Sequence, residues 1–277
     1  MKLSLNITDF SYPAGTIAQR LTEVVEAAEA AGIDTVWVGD HLIMVVPGAS
    51  IDDPMLEAYT TLGYLAARTT RVRLGTMVAG VTFRPPALLV KAVTTVDALS
   101  GGRAWLGIGA GYQQMEADAM GLDLPPTTER FERLEETLRI ADRMWSGDQS
   151  PFEGRHYRLG RPVGSPLPIS RPRILIGGTG EKRTLRLVAE YGDACNLFDI
   201  PGQLPHKLAV LAKHCEAVGR PYDAIEKTVS ARLEGTADAL VPKLREFHDL
   251  GIDHTILITE GPWTPDRVAS LTPLTQL

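Results

Sequence analysis

Apolar runs of strand length alternate with longer stretches of helical period along this chain. Residues 3–8 alternate apolar and polar positions as a strand does. Residues 16–31 then repeat apolar residues at helical spacing until Gly32 ends the run. The β-branched and aromatic segment 35–40 predicts a second strand, 57–68 a helix, 72–79 a third strand, 86–99 a third helix and 103–109 a fourth strand. A long amphipathic helix is predicted over 129–146. The stretch FEGRHYRL, with Gly154 between two short strand-like pieces, predicts a small hairpin inserted around 151–160. The Pro-rich stretch from Arg161 to Pro172 reads as an extended connector. Strands at 173–177, 194–198, 227–233 and 254–259 then interleave with helices at 181–191, 203–218 and 237–250, and a short helix starts near Pro265.

About eight strand–helix units predict an α/β fold, a single (β/α)₈ TIM barrel over residues 1–277 with the hairpin as an insertion. Short, continuous apolar strands suit a parallel sheet covered by helices. An open doubly wound sheet needs fewer units and is the competing fold.

A formal net charge of -6, with no basic cluster, argues against nucleic acid and anionic membranes as partners. Cys195 and Cys215 lack CxxC spacing and a matching His pattern, so they read as structural thiols, with no metal site. The N-terminal segment has no signal-peptide core and the apolar runs are too short to span a membrane, so the expected compartment is the cytoplasm.

In a barrel the chemistry sits on the loops that follow the strands. Asp40-His41 follows the second strand. It reads as an acid–base pair or as a pair that caps a turn. Residues 76–80 after the third strand hold no ionisable group and offer backbone contact or apolar support to a flat ring. The fourth strand ends in Gly109-Ala110-Gly111-Tyr112, which allows close backbone approach. Gln114 stands where GxGxxG requires glycine, so there is no dinucleotide fingerprint. Glu116 caps the turn, orients a ligand or is solvated.

The strongest local signal is Gly177-Gly178-Thr179-Gly180 between a strand and a helix. Backbone N–H groups and the helix N-terminus favour an anion there, although the Walker ending is missing. Arg183 adds a charge contact or is solvated. Asn6 lies near the end of the first strand, at the mouth. Asn196 sits among apolar neighbours and needs hydrogen-bond partners, for which the phosphate loop is the candidate. His156 and Tyr157 pack in the hairpin or face solvent, and His206, His214 and His248 read as surface. His254 opens a strand at the stability face, Trp37 and Trp105 read as core, and Trp145 and Trp263 have no assignable role.

Taken together, TVWVGDH, VRLGTMVAG followed by FRPPALLVKAVTTVDALSGGR, LGIGAGY and ILIGGTGEKRTLRLVAEYGDACNLF resemble the luciferase-like monooxygenase superfamily. The resemblance is greatest to its branch of oxidoreductases that use coenzyme F420, and it runs from residue 1 to about 200. It implies a barrel with the deazaflavin ring in its mouth and hydride transfer to or from a small organic substrate. It places Asp40 on the cofactor head and His41 at the reacting carbon as the catalytic proton donor. A non-prolyl cis bond at Met77–Val78 would lie behind the ring. Ala110, Gly111 and Tyr112 would lie along the cofactor, and Gly177, Gly178, Thr179 and Gly180 would hold its phosphate, with Asn196 close by. A homodimer is also implied.

One departure matters. The sugar-phosphate dehydrogenase branch carries Glu just after its Gly-x-Gly, and Tyr112 stands there, so that activity is not expected. Tyr112 can instead donate a hydrogen bond or stack on a ring. An FMN-dependent monooxygenase and a non-catalytic cofactor-binding member of the same fold are the alternatives. A phosphosugar aldolase or isomerase lacks its usual Lys or Glu at an inner strand end.

Overall fold

Strands buried on both faces need apolar side chains throughout, and the computed structural model, which describes residues 1–46 and 48–276, places them where the apolar runs lie. The strands are β1 (Lys2–Ile7), β2 (Thr35–Val38), β3 (Arg73–Thr76), β4 (Ala79–Gly80), β5 (Ala104–Gly109), β6 (Phe152–Glu153), β7 (Arg158–Leu159), β8 (Arg173–Gly177), β9 (Ala194–Phe198), β10 (Glu226–Arg232) and β11 (His254–Ile258). The helices are α1 (Ile17–Ala30), α2 (Ala58–Ala66), α3 (Pro86–Ser100), α4 (Gln114–Met120), α5 (Thr127–Ser146), α6 (Thr184–Tyr191), α7 (Leu204–Val218), α8 (Val241–Asp249) and α9 (Pro265–Ala269).

The main sheet runs β3-β2-β1-β11-β10-β9-β8-β5, and pairing of β3 with β5 closes it into a (β/α)₈ barrel. Every pairing in it is parallel; Lys2 lies opposite His254, and Leu74 opposite Ala104. β6 and β7 form the expected antiparallel hairpin. The Glu136 carboxylate on α5 accepts the N–H groups of Arg155, His156 and Tyr157, which fixes the hairpin to that helix. His156 packs there too, its Nε2 2.7 Å from Glu132. No helix among the described residues is long and apolar enough to cross a membrane.

Three elements differ from the sequence reading. The third strand is not continuous over 72–79. It breaks at a cis Met77–Val78 peptide, the bond the resemblance singled out, and resumes as β4, where Ala79 pairs with Ile108. Helix α4 carries no signal in the sequence: its seven residues are too few to show a period, and it stops at Gly121 in the left-handed conformation. The helix expected from 181 begins at Thr184, after a turn over 181–183. His214 is half-buried, not a surface residue, with Nε2 2.8 Å from the Glu181 carbonyl.

The barrel lumen is filled by Trp37, Trp105, Leu175, Ala194 and Ile256, with the two indoles 5.5 Å apart. Rings of this size fit because Gly75 has no side chain; a Cβ there would lie 2.7 Å from the Trp37 ring. A Cβ on Gly107 would lie 1.8 Å from the Thr76 carbonyl oxygen. That close approach brings the Thr76 hydroxyl to the Gly107 carbonyl at 2.7 Å and draws β3 onto β5 where the barrel closes. Met77 and Val78 pack on the lumen cluster from above.

At the opposite end, Glu226 gathers Lys2 (3.1 Å), Arg173 (2.5 Å) and His254 Nδ1 (2.9 Å), while His254 Nε2 contacts Ser4. Burial pushes the Glu226 carboxyl up, but His254, Lys2 and Arg173 outweigh it and hold the group well below the usual carboxylate range. A depressed folded pKa gives stability that is present above the unfolded value of about 4.3 and is lost as pH falls through the folded value. Glu226→Gln is therefore expected to cost about 1–3 kcal/mol at neutral pH in denaturant unfolding, with the deficit shrinking in acid. A deficit of equal size in acid would show that the charge is not its source.

Candidate active site

A cavity of about 450 Å³ opens at the C-terminal ends of the barrel strands. Met77 and Val78 belong both to its lining and to the packing over the lumen, so they form an apolar floor between core and cavity. The floor sits tight: a Cβ on Gly177 would lie 2.9 Å from Val78 Cγ1, and one on Gly109 would lie 3.1 Å from Val78 Cγ2. Glycine at the ends of β5 and β8 is thus required by Val78 as well as by any ligand.

Asp40 and His41 follow β2 and both line the cavity. The Asp40 carboxylate is fully buried and takes a bidentate contact from Arg84, at 2.7 and 2.8 Å. Arg84 reaches on to Glu57 at 2.6 Å and lies 4.9 Å over the Tyr59 ring. Glu57 is itself the N-cap of α2, accepting from the Tyr59 and Thr60 N–H groups. Burial pushes the Asp40 carboxyl up, against the opposing pull of Arg84. Burial also disfavours the Arg84 cation, but Asp40 and Glu57 prevail and keep it charged. Both Asp40 oxygens are therefore engaged within the protein.

His41 faces a different carboxylate. Its Nδ1 lies 2.7 Å from Glu116 Oε2, and Glu116 Oε1 accepts the Leu42 N–H at 2.6 Å. The Glu116 side chain is fully buried, so it is not solvated as one reading had it, and it holds His41 and the Leu42 N–H, a pairing the sequence did not single out. With the carboxylate as acceptor the contact assigns the donor role to Nδ1, and Nε2 is the ring nitrogen without a partner among the described residues. Tyr112 stands edge-on to the imidazole at 6.5 Å and is exposed.

On the far wall, Ala110, Gly111, Gly177 and Gly178 line the cavity, whereas Thr179 and Gly180 do not. The Gly178 N–H is occupied by the Asn196 carbonyl at 3.2 Å; those of Thr179 and Gly180 have no acceptor among the described residues. The Asn196 amide finds its partners in Thr228 and Ser230 on β10, not in the glycine turn as expected. Sequence reasoning missed Arg130, which reaches in from α5. Its Nη1 holds the Gly111 carbonyl at 2.6 Å and Nη2 the Thr127 hydroxyl at 2.8 Å, while Nε is buried without an acceptor. Arg183 instead turns to Thr128 and the Phe131 ring. Phe83, Phe131 and Phe198 complete the apolar walls.

A planar ring with an anionic tail fits this cavity. The floor is apolar, a buried guanidinium N–H of Arg130 on the cavity wall has no acceptor, and the free N–H groups of Thr179 and Gly180 follow directly on the lining residues Gly177 and Gly178.

The family model described as luciferase-like monooxygenase matches residues 4–233. An F420-dependent glucose-6-phosphate dehydrogenase of Kineococcus radiotolerans is 33% identical over 229 residues, which is 79% of this chain and 65% of that protein. The chain thus spans less than two thirds of that relative's length. Among solved structures, an F420-dependent secondary alcohol dehydrogenase in complex with an F420-acetone adduct superposes with a TM-score of 0.82 at 18% identity, covering 99% of this chain and 98% of that one. An EDTA monooxygenase from Chelativorans sp. gives 0.83 at 16% identity, covering 100% and 93%. At these identities the structures share the fold.

Proposed function

The chain belongs to the luciferase-like monooxygenase family, and from that premise we propose that it is an F420-dependent oxidoreductase acting on a small organic molecule. The observation that carries the reading is a cavity with an anion-receptive wall at one side and an oriented imidazole at the other. The named F420-dependent relatives favour that coenzyme over FMN. When bound, the deazaflavin supplies or accepts the hydride.

The protein's part is binding, shielding and proton handling. Met77 and Val78 back the ring, and Ala110, Gly111 and Tyr112 flank it. Arg130 and the Gly177–Gly180 turn receive the phosphate at the cavity rim, where the N–H groups of Thr179 and Gly180, just beyond the lining, are free. Asp40 is held rigid by Arg84 beside the ring, and Asn196 supports the turn through its backbone carbonyl. His41 Nε2 takes the substrate hydroxyl proton in the oxidative direction and returns it in the reductive one. A homodimer in the cytoplasm accompanies the reading; a monomer mass in light scattering rejects the dimer.

Titration of the purified chain with F420 and with FMN, followed by cofactor fluorescence, is expected to show saturable and tighter binding of F420. Preferential binding of FMN rejects the coenzyme assignment. Arg130→Met is expected to weaken F420 binding by about ten- to a hundredfold, the worth of a charged hydrogen bond. Unchanged affinity would remove Arg130 from the phosphate site.

A further inference from the structure

Building on the proposed oxidoreductase function, we infer that the substrate is an uncharged carbonyl or alcohol compound with an apolar flank, and that the Asn6 carboxamide holds its oxygen. Formal charge on the cavity wall is confined, among the described residues, to Asp40, Arg130 and, when protonated, His41. Asp40 is neutralised by its bidentate contact with Arg84. Arg130 binds Gly111 and Thr127 through one N–H of each Nη, and its other N–H groups, the buried Nε–H among them, are those assigned above to the coenzyme phosphate. Arg232 closes β10 exposed to solvent and is not on the cavity wall. Among the described residues no wall cation is left to receive a phosphate or carboxylate of the substrate once the coenzyme is in place. Burying such an anion without a partner carries a large desolvation cost.

The barrel order sets Asn6 apart from the anion-receptive wall. It lies on β1, between β11 and β2, whereas the glycine turn follows β8 on the opposite side of the ring of strands. Asn6 is 4% exposed and lines the cavity, and its buried Oδ1 has no donor among the described residues. A carboxamide on a cavity wall whose buried oxygen lacks a protein donor is a recognition group for a ligand, and its NH₂ supplies the donor sense. In register Asn6 lies opposite Trp37 of β2, the strand that His41 follows, and Ile258 of β11 and His41 line the same cavity. A substrate oxygen there accepts from Asn6 Nδ2 and exchanges its proton with His41 Nε2, while Ile258 and Phe198 cover the carbon flank. In the reductive direction the carbonyl carbon gains a hydride and the C=O π pair moves to oxygen. Oxygen takes the proton from His41, and the reduced coenzyme is oxidised by loss of the hydride's electron pair.

The test uses the full chain loaded with F420 and three probes: a neutral aliphatic ketone, the α-keto acid of matching chain length, and a hexose phosphate. Dissociation constants come from ligand-observed NMR with oxidised coenzyme, and turnover from the absorbance of the reduced coenzyme. The ketone is expected to bind at least about tenfold tighter than either anion and to be the one reduced. Asn6→Leu, and the shape-preserving Asn6→Asp that removes the N–H donors, are each expected to lose about tenfold in ketone affinity while the coenzyme dissociation constant holds. Tighter binding of the keto acid or the hexose phosphate overturns the inference. So does unchanged ketone affinity in both variants, or a loss of coenzyme binding that places Asn6 on the coenzyme instead. If the chain takes FMN and not F420, the coenzyme assignment alone fails. The same three probes on the FMN-loaded chain then decide the substrate class: a preferred ketone upholds it and a preferred anion overturns it.

Discussion

Glu116→Gln is expected to lower turnover by about 10²–10⁴-fold while leaving coenzyme binding and fold stability close to those of the parent chain. The reason lies in which atom of the side chain is already spoken for. One Glu116 oxygen accepts the Leu42 N–H at 2.6 Å and the other accepts from His41 Nδ1 at 2.7 Å. In glutamine the carbonyl oxygen stays with the Leu42 N–H, since the amide NH₂ cannot accept it. The NH₂ then faces Nδ1 and donates to it, which forces the imidazole proton onto Nε2. The cavity is presented with a donor where the oxidative reaction needs an acceptor, and the Leu42 contact that orders the loop survives. Nitrogen NMR of the His41 ring reads the tautomer directly and separates this role from a structural one. His41→Ala is expected to cost a similar factor and to spare coenzyme binding. The double variant should be no slower than the worse single one, because the two side chains act as a unit. Full activity in Glu116→Gln, or an unaltered ring tautomer, removes Glu116 from the mechanism.

That pair also shows where the sequence stops speaking. Asp40, His41 and the glycine turn were legible because barrel function gathers at strand ends, and strand ends are marked by apolar runs giving way to polar or glycine residues. The Met77–Val78 bond was legible only through the family's pattern; nothing in the letters LGTMV breaks a strand. Glu116 was legible as a letter but not as a partner, since 75 residues separate it from His41 and α4, which carries it, is too short to show a period. Arg130 reads as one more cation on the polar face of a long amphipathic helix. Only the way α5 packs across the mouth brings it to the Gly111 carbonyl. Asn196 went the other way. Its need for partners was right, but its side chain bonds to Thr228 and Ser230 on the neighbouring strand β10 and only its backbone carbonyl meets the glycine turn, a register fact that one strand's sequence does not contain.

The same distance in sequence hides the ion pair that fixes the floor of the His41 loop. Arg84→Met is expected to destabilise the fold by about 3–5 kcal/mol at neutral pH, because it strands the Asp40 carboxylate in the interior. Asp40 has no exposure of its own, and Arg84 supplies both of its hydrogen bonds. Glu57 tolerates the loss better: it is 40% exposed and keeps the Tyr59 and Thr60 N–H groups. The sign of the pH dependence follows from the direction in which Asp40 moves. Burial already pushes its carboxyl upward, and without Arg84 nothing comparable opposes burial. A carboxyl whose folded pKa is raised carries its full penalty above that value, and the penalty is relieved as pH falls toward the unfolded value of about 3.9. The deficit of the variant should therefore shrink in acid. It should also shrink at neutral pH when Asp40→Asn is added, since the double variant buries a neutral amide in place of an unpaired charge. Denaturant unfolding of the three variants across pH measures this. A single-variant deficit below about 1 kcal/mol, the range of an exposed pair, or one that does not change with pH, would mean that Asp40 finds water when Arg84 is gone. The rigid floor beneath His41 would then have to be ascribed to Met77 and Val78 alone.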